Sequence, residues 1–230
     1  IAVLGDCKKT LAAVTGLLKK NRHTEWVDSF KEYEAVEEEK VIRPELHPAT
    51  DSLSMGEVVR AVSEATRHEA ILVTDVGQNQ MISARYFKYT KERSIVTSGG
   101  LGTMGFGLPA AIGATFGRPD RMVCVFMGDG GLQMNIQELA TAVLEELPII
   151  CCIFNNEYLG MVRQWQKLFY GKRYAMTNLK AGALSRRTDG QEYPEYTPDF
   201  IRLAESYGAK GIRVTEKDQI AAAFEEAKKN

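Results

Sequence analysis

The chain of 230 residues has no apolar run approaching the roughly 18 to 20 residues that a membrane-spanning helix needs, and its N-terminus lacks the basic, apolar and small-residue pattern of a signal peptide. It reads as soluble and cytoplasmic. Neither sign of charge is in excess: 29 Lys+Arg against 30 Asp+Glu leave a net charge of −1. No long-range field therefore draws it to nucleic acid or to a membrane surface, and the expected partner is a small molecule. Cysteine is scarce, and Cys7, Cys124, Cys151 and Cys152 form neither a CxxC nor a metal-ligand spacing. Three of them lie in apolar, β-type runs, as buried reduced thiols do. The histidines, His23, His47 and His68, stand in segments with no other chemical groups for company.

What is present is an alternation of strands and helices. Ile1–Leu4 is strand-like and leads into a helical pattern carrying Leu11, Val14, Leu17 and Leu18. A chain seldom opens on a core strand, so residues 1–25 read as the tail of a preceding domain. An acidic stretch closed by Pro44 and Pro48 makes 26–49 a connecting helix and linker. Ser54 and Glu57 have the spacing of a capping box ahead of a helix over 55–68. Apolar strands follow at 70–74, 94–97, 121–127 and 149–154, with helices at 105–116 and 132–147. A helix over 198–207, a strand over 211–214 and a helix over 217–228 continue the series, while 180–197 is polar and aperiodic and reads as a mobile surface loop. This order predicts an α/β fold, a doubly wound, mostly parallel sheet with helices on both faces, over residues 50–230. The last helix has no strand after it, so the domain is expected to be cut short.

Two glycine-rich segments carry the chemistry. Gly100, Gly102 and Gly105 spell GxGxxG between a strand and a helix, the pattern of a dinucleotide site, yet no acidic residue falls about 20 positions on at a second strand end. Close helix packing explains the same glycines. The sharper segment is Gly128-Asp129-Gly130-Gly131, set between a buried strand and a helix at the carboxyl edge of the sheet. Glycine backbone and unpaired helix amides suit phosphate oxygens, whereas Asp129 repels them. A divalent cation between carboxylate and phosphate removes the conflict.

The next strand ends in Asn155-Asn156. Adjacent parallel strand ends lie roughly 5 Å apart, close enough for Asp129 and Asn156 to share one ion. Two side-chain oxygens, a backbone carbonyl, two phosphate oxygens and a water make the octahedron that Mg²⁺ prefers. The competing reading has Asp129 capping its helix and the asparagines forming an Asx turn.

Gly128-Asp-Gly130, 24 intervening residues and Asn155-Asn156 resemble the motif of thiamine-diphosphate enzymes. Thr97 to Gly113, Met134 to Ala140, Asn155 to Gln166 and Leu168-Phe-Tyr170 narrow the resemblance to the catalytic subunit of acetohydroxyacid (acetolactate) synthase, densely over about 50–178 and more loosely over 198–214. The resemblance implies that Asp129, Asn156 and the Tyr158 carbonyl hold Mg²⁺. It places Gly128, Gly130 and Gly131 at the diphosphate, with Gln78 and Gln80 closing over it. Gly102 and Met104 take the catalytic positions, Gly102 as the carbonyl that meets the aminopyrimidine and Met104 as the wedge that bends the cofactor and makes proton removal intramolecular. Met161 touches the cofactor and, with Trp165, lines the pocket for the second 2-oxo acid. Core filling for Met104 and helix packing for Trp165 are the plainer alternatives.

The implied activity is carboligation of pyruvate with a second 2-oxo acid, in branched-chain amino-acid biosynthesis, by a homodimer or larger assembly with FAD and a possible regulatory subunit. The activating glutamate and most of the FAD site fall outside these residues, so the chain alone is expected to be inactive. Asn79 and Ile82 depart from the family's His and Trp in Gly-Gln-His-Gln-Met-Trp. Glyoxylate carboligase, pyruvate oxidase or a non-catalytic module with the same fold are the rival readings.

Overall fold

The computed structural model describes residues 3–180 and 197–229, which fall into two compact units, Ile1–Pro44 and Glu45–Asn230. The loop expected at 180–197 lies almost entirely outside the described residues. No helix among the described residues is long and apolar enough to cross a membrane.

The elements described in the first unit are helices, joined by irregular residues 18–23. Helix α1 (Cys7–Leu17) is capped by the Asp6 carboxylate, which accepts from the Lys9 amide at 3.0 Å, and α2 (Thr24–Glu37) runs into a π-helical turn over Glu38–Ile42 before α3 (Arg43–Leu46). The wide turn has a cause in the sequence: Pro44 has no amide to donate, and its ring would press on the carbonyl one α-turn back. Val3 and Leu4 are exposed and outside any strand. The expected strand at 1–4 is not formed over these two residues, because an isolated strand leaves its backbone groups unpaired.

In the second unit the capping box forms as its spacing predicts. Ser54 Oγ accepts from the Glu57 amide at 3.1 Å and Glu57 Oε2 from the Ser54 amide at 3.0 Å, opening α4 (Met55–Ala65). Four parallel strands follow: β1 (Ile71–Thr74), β2 (Ile95–Thr97), β3 (Val123–Gly128) and β4 (Ile149–Phe154), in the order β2-β1-β3-β4. Between and after them lie α5 (Gln78–Tyr86), α6 (Gly107–Gly117), α7 (Asp129–Met134), α8 (Glu138–Leu144), α9 (Gly160–Phe169), α10 (Phe200–Ser206) and α11 (Gln219–Ala227).

Strand residues alternate between two covered faces. Ile71, Val73, Val123, Val125 and Met127 pack with Leu108 and Ala111 of α6, Leu132 of α7 and Leu139 of α8. On the other face Phe126 stacks on Phe154 at 5.5 Å and meets Phe87 edge-on at 6.4 Å. Burial of one such large apolar side chain contributes about 1.5–3 kcal/mol, and cover on both faces explains the unbroken apolarity of β1 and β3.

Two expected elements differ. The helix over 132–147 is broken at Asn135 (φ −136°, ψ 40°), whose side-chain amide donates to the Gly105 carbonyl at 2.7 Å. Residues 211–214 form no strand and instead line an apolar cavity beside β4 with α4, α8, α10 and α11. The strand order reverses between β1 and β3. Their carboxyl ends form the switch point where open α/β sheets place ligands.

Candidate functional site

Strand β3 passes into α7 without a connecting loop. Gly128 is still extended (φ −83°, ψ 164°), and Asp129 is the first helical residue. Asp129 is buried, 3% exposed, with both oxygens engaged: Oδ1 accepts from the Gly130 amide at 2.9 Å and Oδ2 from the Glu157 amide at 2.7 Å. Burial raises the pKa of this carboxyl; the amides of Gly130 and Glu157 oppose the rise, and the Glu157 charge adds to it. The described partners are dipoles, not cations, and a buried carboxylate in that position favours a positive ion beside it.

The loop after β4 supplies the other oxygens. Asn156 Oδ1 accepts from the Tyr158 amide at 3.1 Å, so the Asx turn is present, and it leaves that oxygen a second lone pair. Tyr158 faces Asn178 in an isolated antiparallel bridge whose bonds run from the Leu159 amide to Thr177 and from the Leu179 amide to Glu157, each at 2.9 Å. The Tyr158 carbonyl takes part in neither bond. The Arg163 guanidinium lies between the Tyr158 and Tyr174 rings, 4.3 and 3.8 Å from their centroids, and holds this loop to the start of α9.

Gln78, at the first turn of α5, reaches the same loop. Its Oε1 accepts from Asn156 Nδ2 at 3.4 Å, and its Nε2 donates to Gln164 Oε1 on α9 at 3.0 Å. Gln80 turns elsewhere and donates to Thr97 Oγ1 at the end of β2, 2.8 Å away. Asn79 is buried, and its Oδ1 has no hydrogen-bond partner among the described residues; Ile82 is half-buried.

The other glycine-rich segment arrives from the β2 side. Gly102 has φ +62° and Gly105 φ +85°, backbone shapes that favour glycine. Met104, between them, is half-buried; its Cε lies 3.7 Å from where a Cβ on Gly130 would stand, with Leu159 at 2.8 Å and Leu179 at 3.2 Å around the same point. The Met104 side chain thus reaches Gly130. At Gly131 a Cβ would fall 2.5 Å from an oxygen of Asp75. Asp75 is a site residue that the sequence pattern did not single out. Acceptance from Gly105 and Gly107, thirty or more positions on, leaves no local trace.

Met161 and Trp165 share a cavity of about 570 Å³ on α9 with Val162, Gln166, Tyr170 and Arg173. Trp165 is 55% exposed and packs edge-on against Phe169 one turn further along the same helix, so a helix-packing contact stands beside its place in the cavity. Gly160, at the start of that helix, approaches Gln78 and Asn156, which links the cavity to the loop after β4. Among the described residues no three His, Cys, Asp or Glu side chains gather as a transition-metal site requires. Asp129, Asn156 and Tyr158 carry oxygens of the kind that could hold a hard cation.

Residues 75–230 match the family "Thiamine pyrophosphate enzyme, C-terminal TPP binding domain", and the chain belongs to that family. This segment starts at Asp75 and takes in both glycine-rich turns and the loop after β4. Among curated proteins, the chain is 35% identical over 231 residues to the acetolactate synthase isozyme 3 large subunit of Escherichia coli, covering 99% of this chain and 37% of that protein. It is 38% identical over 226 residues to the chloroplastic acetolactate synthase 1 of Nicotiana tabacum, covering 98% and 33%. With the acetolactate synthase large subunit of Corynebacterium glutamicum it is 38% identical over 233 residues, covering 99% and 35%. The chain thus spans about a third of the length of these relatives.

Proposed function

We propose that the chain is the cofactor-binding part of an acetolactate synthase large subunit and serves the joining of pyruvate to a second 2-oxo acid, giving acetolactate or acetohydroxybutyrate. One observation carries the reading: a buried carboxylate, Asp129, at the switch point of a parallel sheet, tied to the loop that carries Asn156 and Tyr158. Asp129, Asn156 and the Tyr158 carbonyl would hold Mg²⁺, and Gly128, Gly130 and Gly131 would let the diphosphate approach the backbone. Gln78 would orient Asn156 through their hydrogen bond. When bound, thiamine diphosphate supplies the electron sink for decarboxylating one 2-oxo acid and joining the remainder to another. Met104 would press on the cofactor from the glycine-rich segment, and the Gly102 carbonyl would accept from its pyrimidine. Met161 and Trp165 would shape the acceptor pocket; one methylene is worth about 1–3 kcal/mol there, which gives a preference between acceptors and not an exclusion.

The names of two of these relatives, as large subunits, support a smaller regulatory partner. A homodimer or larger assembly, FAD in the whole enzyme and a cytoplasmic setting complete the proposal. Titration calorimetry tests it: the chain should bind thiamine diphosphate only with Mg²⁺, and Asp129→Ala should abolish the heat. Equal binding by that variant would refute the metal assignment. The 230-residue chain alone should form no acetolactate from pyruvate, since the resemblance puts the activating glutamate outside it.

A further inference from the structure

Asp75 is 1% exposed at the tip of β1, where its backbone is fixed by donation to the Phe126 carbonyl at 2.9 Å. Its side chain takes no part in the sheet. Oδ1 accepts from the amides of Val76 at 2.8 Å and Gly105 at 3.1 Å, and Oδ2 accepts from the amide of Gly107 at 2.7 Å. Gly105 is held at its other end too, because its carbonyl accepts from Asn135 Nδ2 at 2.7 Å. Side chains are excluded around the carboxylate: a Cβ would fall 3.1 Å from Asp75 Cβ at Gly107 and 2.5 Å from Asp75 Oδ1 at Gly131.

From this geometry we infer that Asp75 is a positioning residue, a clamp that sets the Gly102–Gly107 segment in its working shape before any ligand arrives. Three N–H donors converge on one side chain, and only an acceptor with two oxygens and no hydrogen of its own satisfies all three. An amide of the same shape would offer one oxygen and turn an N–H against a donor. Met104 is the residue immediately ahead of the clamped Gly105. The Thr103 amide, on its far side, is held by Ser98 Oγ at 3.0 Å. Anchored on both flanks, Met104 has its backbone fixed by hydrogen bonds that need no cofactor. Binding that draws on a pre-formed segment avoids the cost of ordering it. The link to cofactor affinity rests on the site reading given above; the clamp itself does not.

Hydrogen exchange on the full 230-residue chain without cofactor tests the clamp. The Gly105 and Gly107 amides should be protected in the wild type, and Asp75→Ala, which removes both oxygens, should speed the exchange of both by about tenfold or more while the amides of β3 keep their protection. Free exchange at Gly105 in the wild type would overturn the inference without any variant, which covers the case of an Asp75→Ala chain that does not fold. Faster exchange at Gly107 alone would also overturn it, reducing Asp75 to a cap on α6. With Mg²⁺ present, calorimetry should show thiamine diphosphate binding about ten- to a hundredfold more weakly to Asp75→Asn, the loss expected for a charge-assisted hydrogen bond. Unchanged affinity would overturn the link between clamp and ligand. Failure of the wild type to bind the cofactor would count against the site reading, and the exchange data would still decide for or against the clamp.

Discussion

Asp129, at the end of β3, accepts the backbone amide of Glu157, in the loop after β4, at 2.7 Å. The bond crosses from one strand tip to the next and fixes Glu157 between Asn156 and Tyr158. It gives the loop its place relative to the carboxylate and would set the position of the proposed ion between them.

The pH dependence of that ion follows from the same carboxyl. Burial holds the Asp129 pKa above its ordinary 3.8 in the folded chain. Its contribution to folding is therefore fully present below about 3.8 and is lost as pH rises through the higher folded value. A bound cation reverses the preference by favouring the ionised form. Mg²⁺ affinity, followed by calorimetry between pH 4 and 8, should fall as pH drops through the folded pKa, with a limiting slope of about one proton per ion. Asp129→Asn should flatten the slope.

Gly102 and Gly105 share a positive φ and differ in their neighbours. Near Gly102 a Cβ meets only Val76 Cγ1 at 4.0 Å, whereas at Gly105 it would stand 2.8 Å from Asn135 Nδ2 and 2.9 Å from Met134 Cβ. Gly102→Ala should destabilise the chain by about 1 kcal/mol, from backbone strain alone, and Gly105→Ala by about 2–4 kcal/mol. Urea unfolding of the two variants checks the order.

At Gly160 an added Cβ would fall 2.1 Å from Gln78 Oε1 and 3.0 Å from Asn156 Nδ2, both ends of side chains that can swing away. Gly160→Ala should leave stability within about 1 kcal/mol of the wild type, since alanine also favours the helix. It should weaken Mg²⁺-dependent cofactor binding by breaking the contacts of Gln78 with Asn156 and Gln164. Paired melting and calorimetry measurements separate the two effects.

The thiols make an independent check on the sheet. Cys124 is buried and Cys151 and Cys152 are half-buried beside the apolar cavity; loss of solvent pushes the latter two up to about 12 and Cys124 well above the usual thiol range, while Cys7 is exposed. Iodoacetamide at pH 8 should add one carbamidomethyl group to the native chain and four after denaturation, counted by mass spectrometry.

Strands β1, β3 and β4 were legible from unbroken apolar runs, β2 from the short Ser94-to-Thr97 stretch, and α4 from Ser54 and Glu57. Local pattern failed where a distant contact decided the backbone. Asn135 breaks the expected 132–147 helix because its side chain is drawn to Gly105, thirty residues away. The 211–214 segment has the composition of a strand and forms none; composition alone does not supply a ladder. At the site, Asp129, Asn156, Gly130 and Met104 carry motif spacings, and the structure brings Met104 to Gly130 and Asp129 to the Asn156 loop. Asp75 carries no such spacing. An acid that closes an apolar strand reads as an ordinary turn residue until the chain has folded around it.

The hydrogen bonds that shape the site join residues far apart along the chain: 28 positions from Asp129 to Glu157, 30 and 32 from Asp75 to Gly105 and Gly107, and 86 from Gln78 to Gln164. Each closes a loop whose entropy is lost before the contact returns anything. The pocket should therefore form late in folding, once sheet register is set, and the Gln78–Gln164 tie, which spans the longest loop of the four, should be among the last to form and the first to open.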